Sequence, residues 1–414
     1  MKASRFLSIV LPGLLVAATG VGMGDLATGS FAGSLLGTAI LWAVLLGAFL
    51  KFIITEGIAR WQLATGTTVL QGAAIHLGPW PMYVFLPYLL LWTLVTGSAL
   101  MSGCGVALHA LIPIFDSADN GKIFFGMLSS LIGAGLVRYG GFDMFEKIMT
   151  TCIVLMFAAV VITAGALWPG TEVVLRGLFI PTIPDFAGSG LTWTVALIGG
   201  VGGTVTILSY GYWIRESGRE GADQIAICRI DLGSGYLMTA IFGISVVIIG
   251  SKLELSGSGA TLIVAMADEL AVPLGEIGRW IFLIGAVGAV FSSLLGTWQA
   301  TPYFFCDSWN LFRGRGRDAD QSGMATTTSP LYRYYLLALA VVPMMGLFVD
   351  FRQALKIYAV IGALFVPMLA ILLLVLNSRT KWIGAEHRNR FAAMGGLLMA
   401  VVFFFWIALV KIFG

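Results

Sequence analysis

Apolar windows of about twenty residues, each long enough to cross a bilayer as a helix, recur eleven times along this chain. Their approximate extents are 8–30, 35–61, 81–111, 121–138, 144–168, 190–214, 231–250, 277–306, 331–349, 351–377 and 389–413. One soluble core could not absorb them, because a single core stops growing at about 250–300 residues and must be covered by charge. This chain has 414 residues, of which 58% are hydrophobic and only 11% charged. Strand-type alternation is absent, which argues against a barrel. The expected class is an all-α polytopic membrane protein, a single transmembrane domain over 1–414.

Lys2 and Arg5 precede the first apolar run as in a signal peptide, but the run is too long and leads directly into a second span, so it reads as a retained helix. With the N-terminus in the cytoplasm, the inner loops collect Arg60, Arg138, Lys147, Arg215, Arg219, Arg229, Arg313, Arg315, Arg317, Arg333, Arg379, Lys381, Arg388 and Arg390. The outer side holds only Lys122, Arg176, Lys252, Arg279, Arg352, Lys356 and Lys411. The bias predicts an inner N-terminus and, with an odd helix count, an outer C-terminus. The expected location is a bacterial inner (plasma) membrane. The net charge of +3 expresses this topology and gives no reason to expect a nucleic-acid partner. Basic Arg313–Arg317 and the Ser/Thr-rich stretch after it read as a cytoplasmic loop beside anionic lipid. Cys104, Cys152, Cys228 and Cys306 lack paired spacing and read as free thiols.

Glycines interrupt two spans. The first carries Gly20, Gly22 and Gly24; the sixth carries Gly199, Gly200, Gly202 and Gly203, and again SYG at Ser209 to Gly211. Each span opens a group of five, giving a first repeat over 8–168, a second over 190–377 and an extra helix at 389–413. Two five-helix groups related in this way insert with opposite topology, and paired broken helices mark the binding site of such carriers. Unwound backbone at that depth persists only where it lines a cavity. Close helix packing is the other use of such glycines, and it suffices for those of the seventh and eighth spans.

The segment LPGLLVAATGVGMGDLATGSFAGSLLGTAILW, continuing to ARWQLATG, resembles the start of the Nramp-type (natural-resistance-associated macrophage protein, SLC11-like) divalent metal transporters. Ala-Thr after the break, Ala-Gly-Ser, Trp42 and Ala59-Arg60 fall in step with that family; FSSLLGTWQA and the region of Pro367 are fainter matches. The resemblance implies a leucine-transporter-type fold with 5+5 inverted repeats and an eleventh helix. The family's Asp-Pro-Gly-Asn aligns with Gly22, Met23, Gly24 and Asp25, and its Met-Pro-His with Ile207, Leu208 and Ser209. The acids of the third span linked to proton passage align with Gly97 and Leu100, which puts that route in doubt.

What remains is an oxygen environment: Asp25, unwound carbonyls at Gly20 and Gly22, and hydroxyls from Thr19, Thr206, Ser209 and Tyr210. Oxygen donors suit hard cations such as Mg²⁺, Ca²⁺ or Mn²⁺, whereas soft metals favour sulfur. A carboxylate in mid-membrane is a functional candidate, so Asp25 is the expected metal ligand. The same residue could instead cap the second half-helix through the amides of Ala27 or Thr28. Lys51 falls near the middle of the second span, where it pairs with Asp25, with Glu56 or with a cavity carbonyl, or else snorkels to an interface. Glu56 and Arg60 are spaced for an ion pair on one helix face. Arg215 and Glu216 end the sixth span, as gate residues or as a solvated end.

His76, His109 and His387 have no second histidine at ligand spacing, and no enzyme motif is present, so neither catalysis nor a cofactor is expected. GATLIVAMADEL reads as an amphipathic helix on the outer surface. Three functions stand open: a carrier of a hard divalent cation (Mg²⁺ or Mn²⁺ class) working without the usual proton route; a carrier of an organic solute or anion in which Lys51 replaces a coupling cation; and a membrane protein that no longer transports. The expected partners are the metal ion as substrate and membrane lipid.

Overall fold

The computed structural model describes residues 13–253, 262–314 and 327–413, all-helical with connecting turns. Lys2, Arg5, Arg315, Arg317 and most of the Ser/Thr-rich loop lie outside these residues. In chain order the helices are α1 (13–20), α2 (Met23–Leu36), α3 (Leu41–Thr65), α4 (Val69–Leu77), α5 (Trp80–Leu111), α6 (Ala118–Tyr139), α7 (Gly141–Ala166) and α8 (Thr171–Phe179). They continue as α9 (Gly190–Gly200), α10 (Ser209–Glu216), α11 (Ile225–Gly250), α12 (Leu262–Phe312), α13 (Pro330–Val341), α14 (Phe351–Ala363), α15 (Phe365–Ser378), α16 (Thr380–Ile383) and α17 (Phe391–Phe413). Nine apolar helical stretches among the described residues are long enough to cross a membrane, the first of them running over Asp25–Thr65, and Phe391–Trp406 is a shorter one.

Local signals account for the ends. Thr68 and Gln71 form a reciprocal capping box that starts α4, and Gly66 ends α3 in a left-handed conformation only glycine adopts freely. Ser329 and Asp350 accept the backbone amides of Tyr332 and Gln353 at the starts of α13 and α14. The expected tenth span is divided at Leu364: Pro367 has no amide to give the carbonyl four residues back, and the chain turns between α14 and α15. The seventh span starts at Ile225, six residues before its expected start, which carries Asp231 inside the helix.

The long α5 and α12 pack along each other, with α6 and α7 against them, while α11 covers α2 and α3. The four cysteines are free thiols. Residues 262–274 are helical ahead of the bend at Gly275; they bury Ile263, Met266 and Leu270 and leave Asp268 outside, paired with Arg279 at 2.9 Å.

Candidate ion site at the helix breaks

The chain leaves helical geometry twice at the same depth. Between α1 and α2, Val21 and Gly22 are non-helical. Between α9 and α10, Gly202 (φ +76°) and Gly203 (φ +86°) take the left-handed region before a short 3-10 turn, Val205–Leu208. The breaks meet backbone to backbone, since a Cβ on Gly20 would fall on the carbonyl of Gly202 and the amide of Gly203. Carbonyls freed at the end of α1 are satisfied from α12. Ser292 Oγ donates to Ala18 O at 3.1 Å and Ser293 Oγ to Thr19 O at 2.9 Å.

Beside the crossing lies a small cavity of about 10 Å³, room for roughly one water or one bare ion. Its donors are mostly oxygens: Thr19 from α1, Thr96 from α5, Thr204 and Thr206 from the second break, Ser293 and Thr297 from α12, and Tyr358 from α14. Trp92 donates its indole N–H to Thr204 Oγ1 at 3.0 Å, and Leu100 closes one side. Thr19 Oγ1 and Thr96 Oγ1 are buried without a hydrogen-bond partner. Gly20 and Gly22 line the cavity too. A Cβ on Gly22 would fall on Ser293 Oγ, so the serine occupies the space that a larger residue at 22 would need.

Asp25 is buried in the first turn of α2, and its Oδ1 has no hydrogen-bond partner. The capping geometry expected with Ala27 or Thr28 does not form. The helix starts three residues earlier than that reading requires, with Gly22 as its N-cap and without a side-chain cap bond. Amides of Gly22 and Gly202 face the carboxyl group instead, so Asp25 touches both breaks.

Lys51 is 1% exposed and does not snorkel. Its ammonium donates to three carbonyls of the second break, Gly199 O at 3.0 Å, Val201 O at 3.3 Å and Gly203 O. Three converging carbonyls make a cation seat, and a tethered ammonium fills it while attracting Asp25. One turn on, Thr55 bonds the Tyr236 hydroxyl at 2.7 Å.

Ser209 and Tyr210 stand off the cavity. Ser209 Oγ turns back to Thr206 O, and Tyr210 OH donates to Asp231 Oδ2 at 2.8 Å. Asp231, fully buried, also accepts Arg219 Nη1 at 2.8 Å and, through Oδ1, the Gly13 amide at 2.7 Å. This clamp ties the start of α1 to α10, α11 and the connection between them. Placing the span start at Asp231 hid it, although an intramembrane acid was the signal that could have found it. Glu216 accepts the Tyr303 hydroxyl at 3.1 Å, and Arg215 also engages neighbours. Glu56 and Arg60 do pair, at 3.3 Å, with Arg229 on the other carboxylate oxygen at 2.9 Å. His76 stacks on Trp382 with ring centroids 4.4 Å apart, and its partial burial lowers its pKa. No group of three His, Cys, Asp or Glu residues placed to hold a metal occurs among the described residues.

The manganese transporter of Eremococcus coleocola superposes with a TM-score of 0.75 at 17% identity, covering 100% of this chain and 87% of that one. MhsT in complex with L-phenylalanine superposes at 0.61 and 17%, covering 96% and 98%. Both are leucine-transporter-type folds, and this chain shares that fold. A metal transporter of Populus trichocarpa, Nramp6.2, is 29% identical over 197 residues, 47% of this chain and 35% of that protein, so the match spans about a third of the relative's length. The family model described as natural resistance-associated macrophage protein-like matches residues 13–412. The chain is a membrane-spanning member of the natural resistance-associated macrophage protein-like (Nramp) family.

Proposed function

We propose that the protein carries a hard divalent cation of the Mg²⁺ or Mn²⁺ class across the membrane by alternating access. The carrying observation is the small, hydroxyl-rich cavity where the two helix breaks cross, with two unpartnered hydroxyls and room for one ion. Its position supports the reading, because rocking of α1 and α10 against α5 and α12 would open it to either side. Thr19, Thr206, Gly20 and Gly22 line the cavity itself; Asp25 does not line it, and would supply the negative charge from the first turn of α2, through an oxygen without a partner. One carboxylate implies weak binding. Gly97 and Leu100 on α5 offer no titratable group, which supports transport without the family's proton route. The proposed frame is two inverted five-helix repeats, 8–168 and 190–377, with 389–413 as the extra helix.

Saturable Mg²⁺ or Mn²⁺ uptake into proteoliposomes, abolished by Asp25→Asn and equal at two external pH values, is the expected outcome. No flux from folded protein would sink the reading. A second reading is favoured by Lys51 on the carbonyls of the break: a resident ammonium takes the place of a coupling cation, and the substrate is an organic solute or anion. In that case Lys51→Met, and not Asp25→Asn, would make solute uptake depend on added Na⁺ or K⁺.

A further inference from the structure

We propose that the cleft between α3, α11 and α17 is a binding site for the phosphate headgroup of an anionic phospholipid. The cleft has a volume of about 580 Å³ and is separate from the helix breaks. Arg60, Arg229, Arg388 and Arg390 line it. Among the described residues, Glu56 is the one carboxylate engaged by these guanidiniums, with Arg60 on Oε2 and Arg229 on Oε1. Arg60 is spent on that contact and on His387 O and Asn389 Oδ1, at 3.0 and 2.8 Å. Arg229 keeps one amino group beyond its contacts with Glu56, and its side chain is 52% exposed, so it can reach a ligand. Arg388 and Arg390 are exposed, and the charges of Arg229 and Arg390 both repel that of Arg60.

Asp223 and Glu386 stand on the same walls, with His387 beside them. Asp223 is turned to the Gln224 side-chain amide at 2.6 Å. Four guanidiniums against three carboxylates, of which only Glu56 is bonded to the arginines among the described residues, leave positive charge facing the opening, where a phosphate would accept paired N–H bonds and relieve the repulsion. The wall away from the arginines is apolar: Phe49 is half exposed, and Phe52 and Ile53 continue it. Arginines near the ends of spanning helices beside an exposed and a partly exposed phenylalanine, Phe49 and Phe52, match a phosphate joined to acyl chains, which commits the site to a lipid over a free anion.

Arg388→Gln with Arg390→Gln tests this, because both side chains are exposed and the Glu56 contacts remain. The purified protein is titrated with phosphatidylglycerol, phosphatidylcholine and inorganic phosphate, reading the melting temperature and, by native mass spectrometry, bound lipid. Expected is stabilisation by phosphatidylglycerol alone, with apparent affinity about thirtyfold weaker in the double variant. An equal response to phosphatidylcholine, or an unchanged response in the variant, overturns the site. A matching response to inorganic phosphate assigns the cleft to a free anion and overturns the lipid assignment.

Discussion

Lys51 holds its charge on three backbone carbonyls, and this makes the charge at the second break part of the chain. Removing it leaves buried carbonyls unpaired, at about 1–3 kcal/mol for each group left unsatisfied. Lys51→Met is therefore expected to melt several degrees lower in choline chloride and to recover in sodium or potassium chloride, with the wild type indifferent to the cation. Equal melting of the variant in all three salts would show that the carbonyls need no cation. Gly22 is limited by its neighbour across the break. Gly22→Ala is expected to lower the melting temperature because its Cβ meets Ser293, and Ser293→Gly should restore part of the loss. Two independent, additive losses would contradict that contact.

Among the helices, the half-helix α1 is anchored at both ends by α11 and α12. Serines of α12 hold its last carbonyls, and Asp231 of α11 holds its first amide together with Arg219 and Tyr210. Breaking a buried ion pair on one side costs about 3–5 kcal/mol. Asp231→Asn is thus expected to loosen α1 at that end. Cys228 reports on it, lying 3.8 Å from Arg219 Nη1. In a background with the other three cysteines changed to serine, maleimide labelling of Cys228 in the purified protein should speed up at least tenfold in Asp231→Asn. An unchanged rate would mean that the clamp does not hold this end closed. Gly202 and Gly203 carry a backbone constraint of another kind, since any side chain there is strained whatever the space around it.

For the molecule in its membrane, the excess of arginine and lysine in one set of loops is the basis of the proposed orientation, N-terminus inside and C-terminus outside. The cleft that gathers Arg60, Arg229, Arg388 and Arg390 brings four of those residues together at one face. Alkaline phosphatase fused after residue 414 should be active in the periplasm and a fluorescent protein at that position dark, with the reverse at the N-terminus. A bright C-terminal fusion would invert the proposed topology.

Membrane class, the all-helical fold and the family were readable along the chain, because apolar length is local and a bilayer punishes any departure from it, whereas the span ends were not: the seventh span starts six residues early and the tenth divides at Leu364. Asp25 and Lys51 were legible as buried charges for the same reason. Their partners were not. Whether Lys51 snorkels or turns inward depends on carbonyls some 150 residues away, and the capping alternative for Asp25 fails because α2 begins at Met23, ahead of it. The hydroxyls of Thr96, Thr204, Ser293 and Tyr358 carry no pattern in one dimension. Their convergence follows from five elements crossing at one depth, and that crossing belongs to packing.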